Sequence, residues 1–390
     1  KTVPATPPPP ARPANPGTAL TYKKSDVDVL PVGRRPTDIA EMAAGVTTNV
    51  FNTGQLTLAG SFGFDNVFMV NGVDVNDNVH GTSNNLFIED AVQETSVLTH
   101  GVSAEYGRFS GGVINVVTRS GGNFFSGSFR EGLSNPAWIG ETPLQRERNQ
   151  ENESVLSKTH EGTFGGPIVR DRLWFFTAAR RETANMPTTF AQKGDSYLRT
   201  ETNARGEAKF TGTVAAGQTV QASFIENATT QTNMSAIPPA ALLDASTLIT
   251  RQLPNRLFAV SYNGAVTPRL FGTLQYSQKH QSYRNNGGTS TDIMDSPFRT
   301  IGANPGVVPT MIYGGQYFDA NDPEQRNNRQ VTGSLAYVLS SPRYGTHELK
   351  SGAEYFVSTG IGGNSQSSTG YVFPTDYVTQ GGAVVRDANG

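Results

Sequence analysis

After Gly122 the chain alternates between apolar and polar side chains, stretch after stretch. In "GEAKFTGTV", Gly206, Ala208, Phe210, Gly212 and Val214 fall on one face and Glu207, Lys209, Thr211 and Thr213 on the other. "FAVSYNGAV" sets Phe258, Val260, Tyr262 and Val266 against Ala259, Ser261 and Asn263. "LFGTLQYSQK" opposes Leu270, Leu274 and Tyr276 to Thr273, Gln275, Ser277 and Lys279. "VTGSLAYVL" and "HELKSGAEYFV" continue the pattern with Leu335, Tyr337, Leu349, Ala353 and Tyr355 on the apolar side. A period of two marks strands with one apolar and one polar face.

The links between these strands choose between a soluble sandwich and a membrane barrel. Short ones occur at Val169–Arg172, Ala215–Gln218, Thr267–Arg269 and Ser341–Gly345. Long polar ones run over Ser134–Leu156, Glu182–Ser196, Thr229–Asn255 and Asn285–Asn328. Because short and long alternate, all the long links lie at one end of an up-and-down sheet, the pattern of outer-membrane barrels. A secreted sandwich would mix loop lengths at its two ends. Nine strands are expected, at about Phe124–Leu133, Thr159–Val169, Arg172–Arg181, Ala204–Val214, Thr219–Ala228, Arg256–Thr267, Leu270–Tyr283, Arg329–Ser340 and Thr346–Ser358. Single-chain bacterial barrels close with even numbers, and an open edge in lipid leaves backbone groups unpaired at several kcal/mol each. The expectation is therefore the N-terminal portion of a longer barrel.

Composition supports strands. Glycine is abundant, at 42 of 390 residues, and disfavours helix. No run approaches the ~18 apolar residues of a membrane-spanning helix, while a barrel strand needs only ~9–11 alternating residues. A formal net charge of -2 gives no electrostatic case for nucleic acid. With no cysteine, disulfides and thiolate metal sites are excluded.

The first part reads differently. "PATPPPPARPANP" marks residues 1–22 as a proline-rich linker. Residues 23–122 read as a compact α/β unit, with one short helix in "RRPTDIAEMAAGV" starting at Thr37 and stopping at Gly45. Strands follow at "QLTLAG", "NVFMVNGVDV", "ETSVLTHG" and "VINVVTR". Residues 123–390 are the barrel portion. The densest apolar strand, Val113–Val117 with Asn115 interrupting, lies between the pairs Gly111-Gly112 and Gly121-Gly122 and between Arg108 and Arg119. The glycines suit close backbone approach and unusual φ/ψ.

These residues resemble the TonB-dependent outer-membrane receptors, and within them the Oar-like group. The resemblance rests on "LPVGRRPTDIAEMAAGVT", "FMVNGVDVND", "VSAEYGRFSGGVINVVTRSGGNFFSGSFR" and the barrel entry "EGTFGGPIVRDRLWFFTAARRE". It implies an α/β plug domain inside a large antiparallel transmembrane β-barrel. Localisation would be the outer membrane of a Gram-negative-type bacterium, with membrane lipid and a periplasmic TonB-type energy-coupling protein as partners. The sequence departs from the family at Ala59-Gly60, where Arg-Gly is frequent, and at Asn71-Gly72, where Asp-Gly is frequent. "ALTY" at Ala19–Tyr22 is too weak to name as an energy-coupling segment.

The resemblance implies that substrate meets the outer apices of the plug, at Phe51–Gly54, Ser61–Asp65 and Asp77–Asn85. These segments offer Phe51, Phe62, Phe64, His80, Asn84 and Asn85, aromatic and amide groups suited to a chelate, saccharide or peptide. Arg108 and Arg119 are expected to lock the plug by pairing with Glu105, Glu207, Glu348 or Glu354. The five histidines have no metal-ligand spacing, and "DVNDN" at Asp74–Asn78 lacks the glycine and the bidentate Glu of a calcium loop. "DANDPE" at Asp319–Glu324 reads as solvated carboxylates. No nucleophile–base set and no phosphate loop emerge, so the reading is non-enzymatic, with no cofactor and no metal. The expected function is energy-coupled import of a chelate, saccharide, peptide or protein; the alternative is a surface receptor, adhesin or protein-export accessory on the same scaffold.

Overall fold

The computed structural model describes residues 19–48, 55–77, 79, 81–83, 86–147, 151–190, 196–234, 245, 248–285, 290–296, 298–300, 311–313, 323–343, 345–362, 367–375, 379–380 and 383–384. The chain divides into two compact units, Lys1–Arg119 and Ser120–Gly390.

The first unit begins with β1 (Ala19–Lys23), inside the stretch that composition assigns to the linker. Next come the single-turn helices α1 (Lys24–Val27) and α2 (Pro36–Ala40). Helix α2 starts one residue earlier and ends sooner than the sequence suggests. Pro36 sits in the first turn, where its fixed φ and missing N–H suit a helix start, and the turns that follow run to Gly45 at φ +81°. Two short strands then pair, β2 (Val46–Thr48) with β3 (Leu56–Leu58).

Strands β4 (Val67–Val70) and β5 (Val73–Asp74) form a tight hairpin. Its turn is Asn71-Gly72 at φ +52° and +79°, the left-handed pair that matches strand twist. A small hairpin, β6 (Asn76–Asp77) with β7 (Thr82–Ser83), precedes β8 (Val92–Leu98) and β9 (Val113–Thr118). The sheet order is β1-β8-β9-β4-β5, so the densest apolar strand is the central one. It pairs antiparallel with β8 and parallel with β4, and Val113, Ile114 and Val116 are buried. Each such side chain contributes roughly 1.5–3 kcal/mol. Val102, Tyr106 and Phe109 pack back on the cluster of Val67, Leu98 and Val113. The interrupting Asn115 closes the neighbouring hairpin, its Oδ1 accepting the Gly72 N–H at 3.2 Å.

Gly111 and Gly112 serve close approach; neither has the positive φ that their pairing suggested. A Cβ on Gly112 would lie 2.6 Å from both the Leu58 side chain and the Leu98 carbonyl, and one on Gly111 would collide with Ser61 and Asn66.

The second unit is a nine-stranded antiparallel meander in which every strand pairs with the next long strand in sequence. Its members are β10 (Ser126–Ser134), β11 (Ser157–Val169), β12 (Leu173–Thr189), β13 (Ser196–Ala215), β14 (Gln218–Met234), β15 (Ile249–Thr267) and β16 (Leu270–Tyr283). After two short loop strands, β17 (Phe298–Thr300) and β18 (Met311–Tyr313), come β19 (Glu324–Ser341) and β20 (Gly345–Ile361). All nine expected strands are present. Most run longer at the long-loop end, so the link expected at Glu182–Ser196 shrinks to 190–195. The added part of β13, "SYLRTETN", is mostly polar on both faces, with Tyr197 on one and Leu198 on the other, and carries no alternation to read.

At the opposite end Asn123 pins the short turn between β11 and β12. Its Oδ1 accepts the Asp171 N–H at 2.9 Å and the Trp174 Nε1–H at 2.7 Å.

Candidate functional site

The sheet is inverted relative to a soluble protein. Phe210, Leu274, Leu335 and Tyr355 are 46%, 56%, 52% and 61% exposed, while Glu207, Lys209 and Lys279 are 4%, 1% and 2% exposed. Strand register puts the two sets on opposite faces. Phe210 lies opposite Ala222, which lies opposite Val260, then Tyr276, Val331 and Tyr355. On the other face Glu207, Ile225, Leu257, Lys279 and Asn328 form a cross-strand row. One row further out is Glu161, Arg180, Arg205, Asn227, Asn255 and Gln281. A sheet whose apolar face is exposed while charged residues on its other face are buried suits lipid rather than water on the apolar side.

Of the residues expected to lock the plug, Glu207 is buried on the polar face. Glu348 and Glu354 lie on the same face by register but are exposed, because β20 ends the sheet and has a neighbour on one side only. Glu354 accepts a hydrogen bond from the buried Gln330. Glu105 is exposed. The backbone N–H of Arg119 donates to the Ala91 carbonyl at 2.7 Å. Arg108, at φ +62°, reaches Asp74, with Nη1 2.9 Å from Oδ2.

Asp74, weighed in the sequence only as the start of "DVNDN", was not expected as the partner of Arg108. It stands in a buried polar network that includes Asn66 and Asn76. Asp74 Oδ1 accepts the Asn76 N–H at 2.8 Å, and Asn76 Oδ1 accepts the Phe68 N–H at 2.7 Å. Asn66 Nδ2 donates to the Leu56 carbonyl at 2.7 Å, and its Oδ1 accepts the Gly112 N–H at 3.2 Å. Satisfied networks of this kind fix one packing arrangement. "DVNDN" therefore supplies hydrogen bonds to the fold. Buried Asp90 is a second such centre, with Arg34 Nη1 at 2.8 Å and Lys24 Nζ at 3.4 Å. Among the described residues no three potential metal-ligating side chains converge.

Of the apical residues, Phe62 and Phe64 are exposed, beside a short 3₁₀ turn at Gly63–Asp65. A Cβ on Gly81 would sit 2.8 Å from the Phe64 backbone nitrogen, so the second and third apical segments touch. Phe51, His80, Asn84 and Asn85 lie outside the described residues, as does most of "DANDPE". Arginines near the outer strand ends, Arg199, Arg251 and Arg326, were also missed. The signal was present as basic residues just beyond the alternating stretches.

No helix among the described residues is long and apolar enough to cross a membrane. No protein-family model matches the chain. In sequence, the chain is 33% identical over 146 residues to the TonB-dependent transporter Oar of Myxococcus xanthus, covering 35% of this chain and 13% of that protein. In structure it is similar to the outer membrane transporter YddB from Escherichia coli, with TM-score 0.65 and 14% identity over 92% of this chain and 50% of that one. It is similar also to the siderophore receptor PirA from Acinetobacter baumannii, with TM-score 0.62 and 16% identity over 87% of this chain and 47% of that one. The chain thus spans about half the length of these solved structures. The resemblance read from the plug motifs is borne out. The fold is the one that these outer membrane transporter and receptor structures share, over about half of their length.

Proposed function

We propose that a chain with this fold works in the outer membrane of a Gram-negative-type bacterium as part of an energy-coupled receptor. In this reading residues 23–122 are the plug, folded within a lumen walled by the polar face of the strands in 123–390. The carrying observation is the inverted sheet, whose exposed apolar face suits lipid and whose buried charges suit a plugged interior. Substrate, a chelate, saccharide, peptide or protein, binds at plug apices and outer loops through Phe62, Phe64 and the flanking Phe51, His80, Asn84 and Asn85. A periplasmic TonB-type protein then pulls on the plug. Charge pairs around Arg108 and Arg119 hold register at rest and exchange under load, since charge-assisted bonds are strong yet replaceable. The transporter activity named for Oar supports the reading.

The test is accumulation of labelled ferric chelates, oligosaccharides and peptides by cells carrying the full-length protein, with and without the coupling protein. Uptake of one class that needs both proteins is expected. Surface binding with no coupled accumulation would overturn import in favour of a receptor or adhesin.

A further inference from the structure

Five neighbouring strands bring charged groups together at the long-loop end of the polar face. Arg251 on β15 lies opposite Gln231 on β14, and its Nε donates to Gln231 Oε1 at 2.5 Å. Gln231 Nε2 donates in turn to Glu201 Oε2 on β13 at 2.7 Å. Arg199 approaches the same carboxylate oxygen only to 3.9 Å, beyond hydrogen-bond length. Its Nε is buried and, among the described residues, has no acceptor.

On the far side stands Tyr283 of β16. The guanidinium carbons of Arg326 and Arg251 lie 4.5 Å and 6.0 Å from its ring centre. Arg326 is paired with Glu324 at 2.6 Å. Arg199, Glu201, Tyr283 and Glu324 all lie within electrostatic reach of Arg251. Among the described residues of this group, three guanidinium groups stand against two carboxylates, one positive charge in excess.

Two like charges held close, one with a buried N–H lacking an acceptor, are costly unless an anion is shared between them. Guanidinium forks match the planar oxygens of carboxylate and the oxygens of phosphate. We infer that this cluster is an oxyanion site: a carboxylate or phosphate group docks between Arg199 and Arg251, with the attached body of the ligand against Tyr283. The inference rests on the transport reading only in taking that anion as part of the cargo. It places recognition on the strand wall, apart from the plug apices.

The test is calorimetric titration of the detergent-solubilised full-length protein with citrate, inorganic phosphate and neutral maltose. Citrate or phosphate should bind and maltose should not; which of the two binds tells whether the group is a carboxylate or a phosphate. Arg199→Gln and Arg251→Gln should each weaken that binding about ten-fold or more, the worth of one charged hydrogen bond. Glu201→Gln should tighten it by removing a competing negative charge, a gain that a merely structural network would not give. Added salt should weaken it. Absence of citrate and phosphate binding, or unchanged binding in both arginine variants with circular dichroism intact, would overturn the site. Binding is read without the coupling protein. Anion binding without cellular accumulation would therefore remove the transport reading and leave the site, and accumulation without anion binding would do the reverse.

Discussion

Leu274→Arg against Gln275→Arg separates lipid from lumen at one depth in the membrane. The two residues are adjacent on β16, so backbone position and strand propensity are nearly shared. Leu274 is 56% exposed on the apolar face, opposite Tyr262 on one side and Gly333 on the other. Gln275 is half-buried on the polar face, opposite Ser261 and Thr332. Strand β16 leaves its short turn at Leu270, and ~9–11 residues cross the hydrocarbon, so the fifth residue lies near the midplane. Arginine there costs ~2–4 kcal/mol on the lipid face, and the cost falls to ~0–1 kcal/mol near an interface. Leu335, opposite Gly272, lies two residues nearer the short-turn end, and its arginine variant should cost less than that of Leu274. The assay is urea unfolding of full-length protein in phosphatidylcholine vesicles, read by tryptophan fluorescence. The expected order of losses is Leu274→Arg, then Leu335→Arg, then Gln275→Arg. Equal losses for the adjacent pair would refute the facing and with it the membrane assignment.

Arg108→Ala should loosen the plug by about 2–3 kcal/mol, below the ~3–5 kcal/mol of a fully buried pair because the guanidinium is partly exposed. Hydrogen exchange at Val113–Thr118 in the full-length protein reads it, and unchanged rates would deny the Asp74 pair a structural role. Arg119→Ala should raise entry of small antibiotics into cells carrying the full-length protein; unchanged entry would leave Arg119 without a locking function. Gly112→Ala should cost ~1–3 kcal/mol, since its Cβ meets Leu58 and the Leu98 carbonyl at 2.6 Å. Gly206→Ala points into open space and should stay within about 0.5 kcal/mol of the parent in the same unfolding assay.

What the sequence disclosed followed the solvent. Within the lipid band each strand must show one face to hydrocarbon, so alternation was legible, and the start of β16 at Leu270 and the ends of β11 and β15 at Val169 and Thr267 agree with it. Beyond that band polar residues stand on both faces, some of them buried, such as Asn203 and Gln231, and the outer halves of β12, β13 and β14 carried no pattern to detect. The central strand β9 was legible from its dense apolar run, interrupted only at Asn115, as a strand with neighbours on both edges and packing on its faces requires. The partner of Arg108 was not legible. Asp74 is 34 residues away, and the two meet because the Asn71-Gly72 turn folds β5 back beside β4. The arginines at the outer strand ends converge only through register across β13 to β19, which no local spacing encodes.

The most direct measurement of the central claim uses the absence of cysteine in this chain. Single cysteines at Glu207 and Ser277, both buried on the polar face, and at Phe210 on the apolar face can be probed with a membrane-impermeant maleimide in a full-length protein whose remaining residues carry no cysteine. The proposal that residues 23–122 fill the lumen predicts that Glu207→Cys and Ser277→Cys are protected and become reactive when residues 1–119 are deleted, while Phe210→Cys stays shielded by lipid in both forms. Equal labelling of Glu207→Cys and Ser277→Cys with and without residues 1–119 would contradict a plugged barrel.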